Sequence, residues 1–294
     1  MDDLISVIVS TYNRADALDA VLRSLSRQSD RRFEIVVADD GSGAATKRVV
    51  ADWTARAPIA VKHVWHEDRG FRLAEIRNLG IRESAGSYLV FMDGDCITRP
   101  SFVAAHRRLA EPGWFVTGNR ILMSQRLTAQ ALAGTSATRP EPETFGPLEQ
   151  LALRARGDLN RLAPLLALPL GPLRKRRATA WRGANGSNMA FWRGDLEAVD
   201  GFDAAFTGWG REDSDIFIRL IRAGVRRKDG RFATGVLHLW HREADRSGLD
   251  GNERRLAEII GGDSVKARRG LSWREEAQKS DAAVGEAVVG EARR

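Results

Sequence analysis

Three short apolar runs decide most of what this chain can fold into. Residues 4–9 (LISVIV), 33–38 (FEIVVA) and 88–92 (YLVFM) each read as a strand covered on both faces. Between the first two, Leu18, Val21, Leu22 and Leu25 recur at helical spacing, so a helix lies against the sheet. Further helices are expected over 44–56 and 73–84, with a strand near 60–65. Strands alternating with helices imply βαβ units and a mostly parallel sheet, so the expected class is α/β. In such sheets ligands sit beyond the carboxyl ends of the strands. Two acidic clusters fall there: Asp39-Asp40-Gly41-Ser42 after the second run and Asp93-Gly94-Asp95 after the third.

Two carboxylates flanking a glycine at a strand end suit a divalent metal that bridges a diphosphate. A lone D-x-D is more often a turn or a cap, and capping by Asp40 or Ser42 would explain one of these acids but not the set. A second constellation is Trp209-Gly210-Arg211-Glu212-Asp213-Ser214-Asp215, followed 23 residues later by His238-Leu239-Trp240-His241. Glu212 and Asp213 precede an expected helix at 214–223, where carboxylates are favoured by the helix dipole in any case. Trp209, with Trp181 as a second candidate, offers an apolar ring face to a pyranose. A histidine near a D-x-D completes a shell suited to Mn²⁺ as well as Mg²⁺. The glycines of Gly183-Ala184-Asn185-Gly186-Ser187-Asn188 would allow close backbone approach to a ligand.

Taken in order, Ser10-Thr11-Tyr12-Asn13-Arg14, Ala38-Asp39-Asp40-Gly41-Ser42, Arg77-Asn78 and Met92-Asp93-Gly94-Asp95 resemble the successive motifs of family 2 glycosyltransferases of the GT-A fold. Gly201-Phe202-Asp203 through Gly208–Asp215 resembles a module of animal β-1,4-galactosyltransferases and bacterial chondroitin polymerases. The resemblance spans roughly residues 4–242. It implies that Thr11, Tyr12 and Arg14 line the nucleotide site and that Asp40 or Asp39 accepts a hydrogen bond from the uracil imide. Asp68 and Arg77 would flank base and diphosphate, with Gly94 and Asn185 also on the donor. Asp95 would be the principal metal ligand with His238, which matches the histidine ligand of related enzymes better than His241, and Asp93 would face the ribose or the metal. Asp213 would be the general base of an inverting transfer, with Glu212 and Trp209 on the acceptor. Related retaining polypeptide N-acetylgalactosaminyltransferases resemble this module but carry Glu-Asn, so the Glu-Asp pair implies inversion. Gly208 and Gly210 would suit a loop that closes over the donor.

The expected activity is transfer of a hexose or N-acetylhexosamine from a UDP-sugar to a bacterial surface glycan of lipopolysaccharide-core or capsule type, with Mn²⁺ or Mg²⁺. The alternative weighed is a nucleotidyltransferase acting on a sugar phosphate. Four segments are expected: 1–118, a nucleotide-sugar-binding half; 119–182, a helical basic insertion; 183–260, the acceptor and base module; and 261–294, a charged tail. Of the nine prolines, six lie within 120–182. Lys and Arg outnumber Asp and Glu by 46 to 39. No nucleic-acid-binding signature accompanies that excess, and residues 150–182 concentrate part of it, so a nucleic-acid partner is not expected. Leu162, Leu165, Leu166 and Leu168 beside Arg174–Arg177 instead suggest peripheral contact with an anionic membrane and a glycan or lipid-linked glycan acceptor. With one cysteine, Cys96, and no long apolar run or secretory leader, the expected location is cytoplasmic, on the inner face of the cell membrane.

Overall fold

The computed structural model describes residues 4–133, 141–242 and 245–273. Ten strands are defined among them: β1 (Ile5–Thr11), β2 (Phe33–Asp39), β3 (Val61–Trp65), β4 (Tyr88–Asp93), β5 (Cys96–Thr98), β6 (Trp114–Thr117), β7 (Arg120–Leu122), β8 (Asn188–Trp192), β9 (Arg226–Asp229) and β10 (Val236–His238). The helices are α1 (Ala15–Ser26), α2 (Ala44–Arg56), α3 (Leu73–Glu83), α4 (Phe102–Leu109), α5 (Gln125–Leu132), α6 (Pro147–Ala155), α7 (Arg193–Ala198), α8 (Glu212–Arg222) and α9 (Leu249–Gly261). Seven strands form one sheet in the order β3-β2-β1-β4-β8-β6-β9. β3, β2, β1 and β4 are parallel, while β8 runs antiparallel between β4 and β6.

The apolar runs are double-sided in the way their composition demands. Ile5, Val7 and Val9 of β1, Ile35 and Val37 of β2, and Val90 and Met92 of β4 pack against Leu18, Val21, Leu22 and Leu25 of α1. Their alternates Ile8, Val36, Ala38, Leu89 and Phe91 pack on the opposite face with Ile76, Ile81, Phe202, Ile216 and Phe217. Side-chain period two thus sends one strand into two cores. α8 lies on the second of these faces, which carries its first turn to the sheet's carboxyl edge.

A small sheet, β5-β10-β7, sits beside the D-x-D loop and places His238 opposite Cys96, one residue past Asp95. The insertion is anchored on it: Leu127, Ala131, Leu153, Leu159 and Leu165 pack with Ile97, Ile121, Leu237 and Leu239. Only part of the expected membrane face is exposed. Leu165 is buried and Leu162 is packed against the same cluster, while Leu166 and Leu168 are exposed. Arg174 also turns inward and donates to the carbonyls of Leu168, Asp229 and Arg231. The insertion is helical only in part, since residues 156–182 hold turns and short 3-10 segments.

Past α9 the chain is not a loose tail as far as it is described. Ala267 N–H donates to Val199, Leu271 N–H to Asp200, and Asp203 accepts from the backbone N–H groups of Arg268 and Arg269. Leu271 packs on the second core. Residues 274–294 of the expected tail lie outside the described residues. Among the described residues, no helix is long and apolar enough to cross a membrane.

Candidate active site

The carboxyl ends of β1, β2 and β4 form one edge through direct backbone contact. Asp40 N–H donates to Thr11 O, and Gly94 N–H donates to Ser10 O at 2.7 Å. A Cβ on Gly94 would sit 2.7 Å from that carbonyl and 3.0 Å from Thr11 Cβ. The end of β1 therefore leaves no room for a side chain at the D-x-D glycine. Asn13 ties the same edge together, receiving Gly43 N–H on Oδ1 and donating its own N–H to Ser42 Oγ. The hydroxyls of Ser10 and Thr11 are buried with no hydrogen-bond partner among the described residues. Arg14 opens α1 and pairs with Asp16 at 3.0 Å.

Both acids of the β2 cluster are buried and engaged. Asp39 accepts from Ser42 N–H and meets His63 Nε2 at 3.0 Å. Asp40 accepts from Arg72 N–H and meets His66 Nε2 at 2.5 Å. Each carboxylate oxygen keeps a second lone pair, so these contacts orient the acids without exhausting them. Tyr12 Oη donates to Asp68 Oδ2 at 2.9 Å. Gly70 N–H and that phenol hold the exposed Asp68 carboxyl below its ordinary range.

Around the D-x-D, Asp95 Oδ1 lies 3.5 Å from His238 Nε2, and Oδ2 lies 3.2 Å from His241 Nε2. The two imidazoles lie with ring centres 5.1 Å apart and their planes tilted by 47°. Burial lowers His238, favouring neutral imidazole, whereas His241 is raised by its hydrogen bond to Asp95. Asp95 is lowered despite its burial, by the hydrogen bond from His241 and the charges of both histidines. One ionised carboxylate between two imidazoles fits a divalent metal of borderline softness. Asp95, Cys96 and His238 also bring their ligand atoms within 4.8 Å of one another. Burial and the adjacent carboxylates keep the Cys96 thiol protonated, which makes it the weakest donor of that group. Burial raises Asp93 and Asp95 adds to the rise, while Arg77 opposes both.

The second acidic centre meets the first through Arg77. This side chain is 1% exposed. Its Nη1 donates to Glu212 Oε1 at 3.1 Å, and its Nη2 donates to Asp93 Oδ1 at 3.4 Å and Gly186 O at 3.3 Å. Burial together with Asp213 pushes Glu212 up to about 7. Asp213 starts α8 beside Glu212 and is held by two backbone donors, Gly186 N–H at 2.9 Å and Ser214 N–H at 2.7 Å. A Cβ on Gly186 would lie 2.9 Å from Asp213 Cβ. The 183–188 loop thus makes a close approach to the acid at Gly186. Asn185 closes a local turn by accepting both the N–H and the hydroxyl of Ser187.

Trp209 is 37% exposed, and the guanidinium of Arg246 lies 4.7 Å over its ring. Three contributors were not singled out in the sequence. Trp240 is 40% exposed between the two histidines. Arg120 opens β7, in register with Val236 two residues before His238, and its charge lowers Asp93. His66 orients Asp40. Trp240 lies within the His238–His241 motif, whereas Arg120 and His66 have no local sequence signal, since they reach the site through pairing of distant strands.

Comparison with known proteins agrees with this geometry. Residues 6–150 match the model of glycosyl transferase family 2, and residues 174–242 match a model described as the N-terminal domain of galactosyltransferase. Validoxylamine A glucosyltransferase of Streptomyces hygroscopicus subsp. jinggangensis is 33% identical over 248 residues, covering 79% of this chain and 55% of that protein. Chondroitin synthase of Escherichia coli is 29% identical over 234 residues, covering 76% of this chain and 33% of that one. The chain therefore spans about half the length of the first relative and a third of the second. The mannosyltransferase PcManGT of Pyrobaculum calidifontis, solved with GDP-Man and Mn²⁺, superposes with a TM-score of 0.54 at 22% identity, covering 88% of this chain and 62% of that one. The fold is that of GT-A glycosyltransferases, and the chain belongs to glycosyltransferase family 2, with a galactosyltransferase-type segment after the family 2 region.

Proposed function

We propose that this chain is a metal-dependent, inverting glycosyltransferase that moves a hexose or N-acetylhexosamine from a UDP-sugar to a glycan acceptor of bacterial surface-polymer type. The observation that carries this reading is Arg77, whose two terminal nitrogens touch Glu212 and Asp93. One guanidinium spans the distance between the donor-side acids and the acid pair that opens α8, so both act on one bound donor.

In this reading Asp213 accepts the proton of the acceptor hydroxyl as its oxygen forms a bond to the anomeric carbon. The bond from that carbon to the β-phosphate oxygen breaks with its electron pair, releasing UDP. The backbone N–H groups of Gly186 and Ser214 fix the direction of the carboxylate, and a base so placed contributes on the order of 10²–10⁴-fold. Asp95, His238 and His241 would hold a divalent cation, which when bound stabilises the negative charge of the leaving diphosphate. Tyr12, Asp68, Asp39 and Asp40 form the nucleobase end, Thr11 and Arg14 adjoin it, and Glu212 and Trp209 face the acceptor. The 183–260 module completes a site begun by 1–118, and the basic insertion borders it. Leu166, Leu168 and Leu173, each at least 40% exposed near Arg176 and Arg177, support peripheral attachment to an anionic inner membrane face.

The test is nucleotide release from a panel of UDP-sugars and GDP-mannose with Mn²⁺, with p-nitrophenyl glycosides and validoxylamine A as acceptors. Release of UDP, abolished by chelation, with a β-linked product from an α-linked donor supports the proposal. Pyrophosphate release from UTP and a sugar phosphate would instead establish the nucleotidyltransferase alternative.

A further inference from the structure

The segment 207–211 carries Trp209 and leads directly into Glu212 and Asp213, yet its backbone is unfavourable left alone. Gly208, Gly210 and Arg211 all have left-handed φ, at +74°, +100° and +80°. Arg211 adopts this conformation without the freedom of glycine, against the steric preference of an L-residue. The two glycines suggested a loop free to close, but here it is seated on a saddle formed by residues 246–253. Asn252 is 2% exposed, and its side-chain amide donates to Thr207 O at 3.0 Å and Gly210 O at 2.9 Å, with Trp209 O at 3.5 Å. The amide's two hydrogens serve the two short bonds. Arg211 Nε donates to Glu253 Oε1 at 2.8 Å. A Cβ on Gly210 would lie 3.2 Å from Leu249 Cδ1, and one on Gly208 would lie 3.8 Å from Gly248 Cα. On the opposite side, Gly208 N–H donates to Phe71 O, in the loop that carries Asp68.

We infer that Asn252 is a positioning residue for acceptor binding: its amide fixes the Trp209 loop in the shape that presents the indole beside Asp213. Nothing else among the described contacts supplies a side-chain donor to those three carbonyls. Asn252 lies in α9, beyond residues 174–242, so the matched galactosyltransferase-type segment ends before the part that seats its tryptophan loop. The inference rests on the acceptor role proposed for Trp209 and on Asp213 as the base.

The experiment compares native protein with Asn252→Ala and Asn252→Asp. The aspartate is isosteric but offers the three carbonyls no N–H, so it carries the same expectation if the alanine variant does not fold. Hydrogen–deuterium exchange of peptides covering 205–215 is expected to accelerate, while peptides from β1 and β4 exchange as in the native protein. With the p-nitrophenyl glycoside that the native enzyme uses fastest, the acceptor KM is expected to rise roughly tenfold or more, as loss of positioning predicts. UDP affinity in Mn²⁺ is expected to stay native. Acceptor KM within twofold of native in a folded variant overturns the inference, whatever its stability. Asp213→Asn, run in parallel, separates the two ideas. If it retains full turnover, the underlying reading fails; if it is inactive while Asn252→Ala keeps native KM, only the role of Asn252 fails.

Discussion

Replacing Arg77 tests whether the two acidic centres are one unit. Its guanidinium is buried and faces Glu212, Asp93 and the Gly186 carbonyl, with the Phe202 ring 5.4 Å away. Arg77→Met keeps the apolar stem but leaves two carboxylates without their shared cation. Stranding one member of a buried pair costs about 3–5 kcal/mol. At 2–4 °C per kcal/mol for a chain of this class, that is a fall in Tm of roughly 6–20 °C. Glu212→Leu costs less, because Arg77 keeps Asp93 and the Gly186 carbonyl. With both replaced, Arg77→Met no longer strands Glu212, so the double variant is more stable than the sum of single losses by about 1–3 kcal/mol. Urea unfolding of the four proteins at pH 8, where Glu212 is mostly ionised, measures this coupling. Additivity within about 0.5 kcal/mol would mean that Arg77 does not hold Glu212, and the one-site argument built on it would fail.

Gly186→Ala puts a methyl 2.9 Å from Asp213 Cβ and 3.0 Å from its Oδ2. Displacing the base by a few tenths of an ångström is expected to lower kcat about tenfold or more with UDP affinity unchanged, read by steady-state kinetics and calorimetry. Glu212 supplies a pH signature in the metal-free protein. Its carboxyl titrates near 7 when folded against an ordinary 4.5, so the folded state holds the extra proton between those values. The stabilising contribution is full below about 4.5 and is lost as pH rises through 7. Tm of the native chain should therefore fall relative to Glu212→Gln between pH 5 and 8; parallel curves would contradict the shift.

What was legible in the sequence follows from local rules. β1, β2 and β4 were readable because strands covered on both faces must be apolar throughout, and Ile8 and Val9 indeed serve opposite cores. The acids were readable because strand ends of parallel sheets converge. Their partners were not. Arg77 was read as flanking the diphosphate, and its contact with Glu212 was hidden because α8 packs against the sheet face that carries α3 only in the folded chain. That Gly94 and Gly186 each also admit a neighbouring part of the protein was not readable, because Ser10 and Asp213 are distant in sequence. The leucines at 162–168 could not be sorted into inward and outward sets, because turns and short 3-10 segments give them no fixed period. Asn252, a single polar residue in a charged helix, gave no sign of the three carbonyls it faces.

The central claim is that Asp213 is the base and does not hold the nucleotide. The direct measurement is turnover and UDP–Mn²⁺ affinity of Asp213→Asn on the same preparation. An asparagine has one carbonyl oxygen for the two N–H donors of Gly186 and Ser214, so some stability is lost along with the charge. The account predicts UDP affinity within about twofold of native and turnover reduced on the order of 10²–10⁴-fold. Native turnover, or turnover lost only in proportion to UDP affinity, would contradict it.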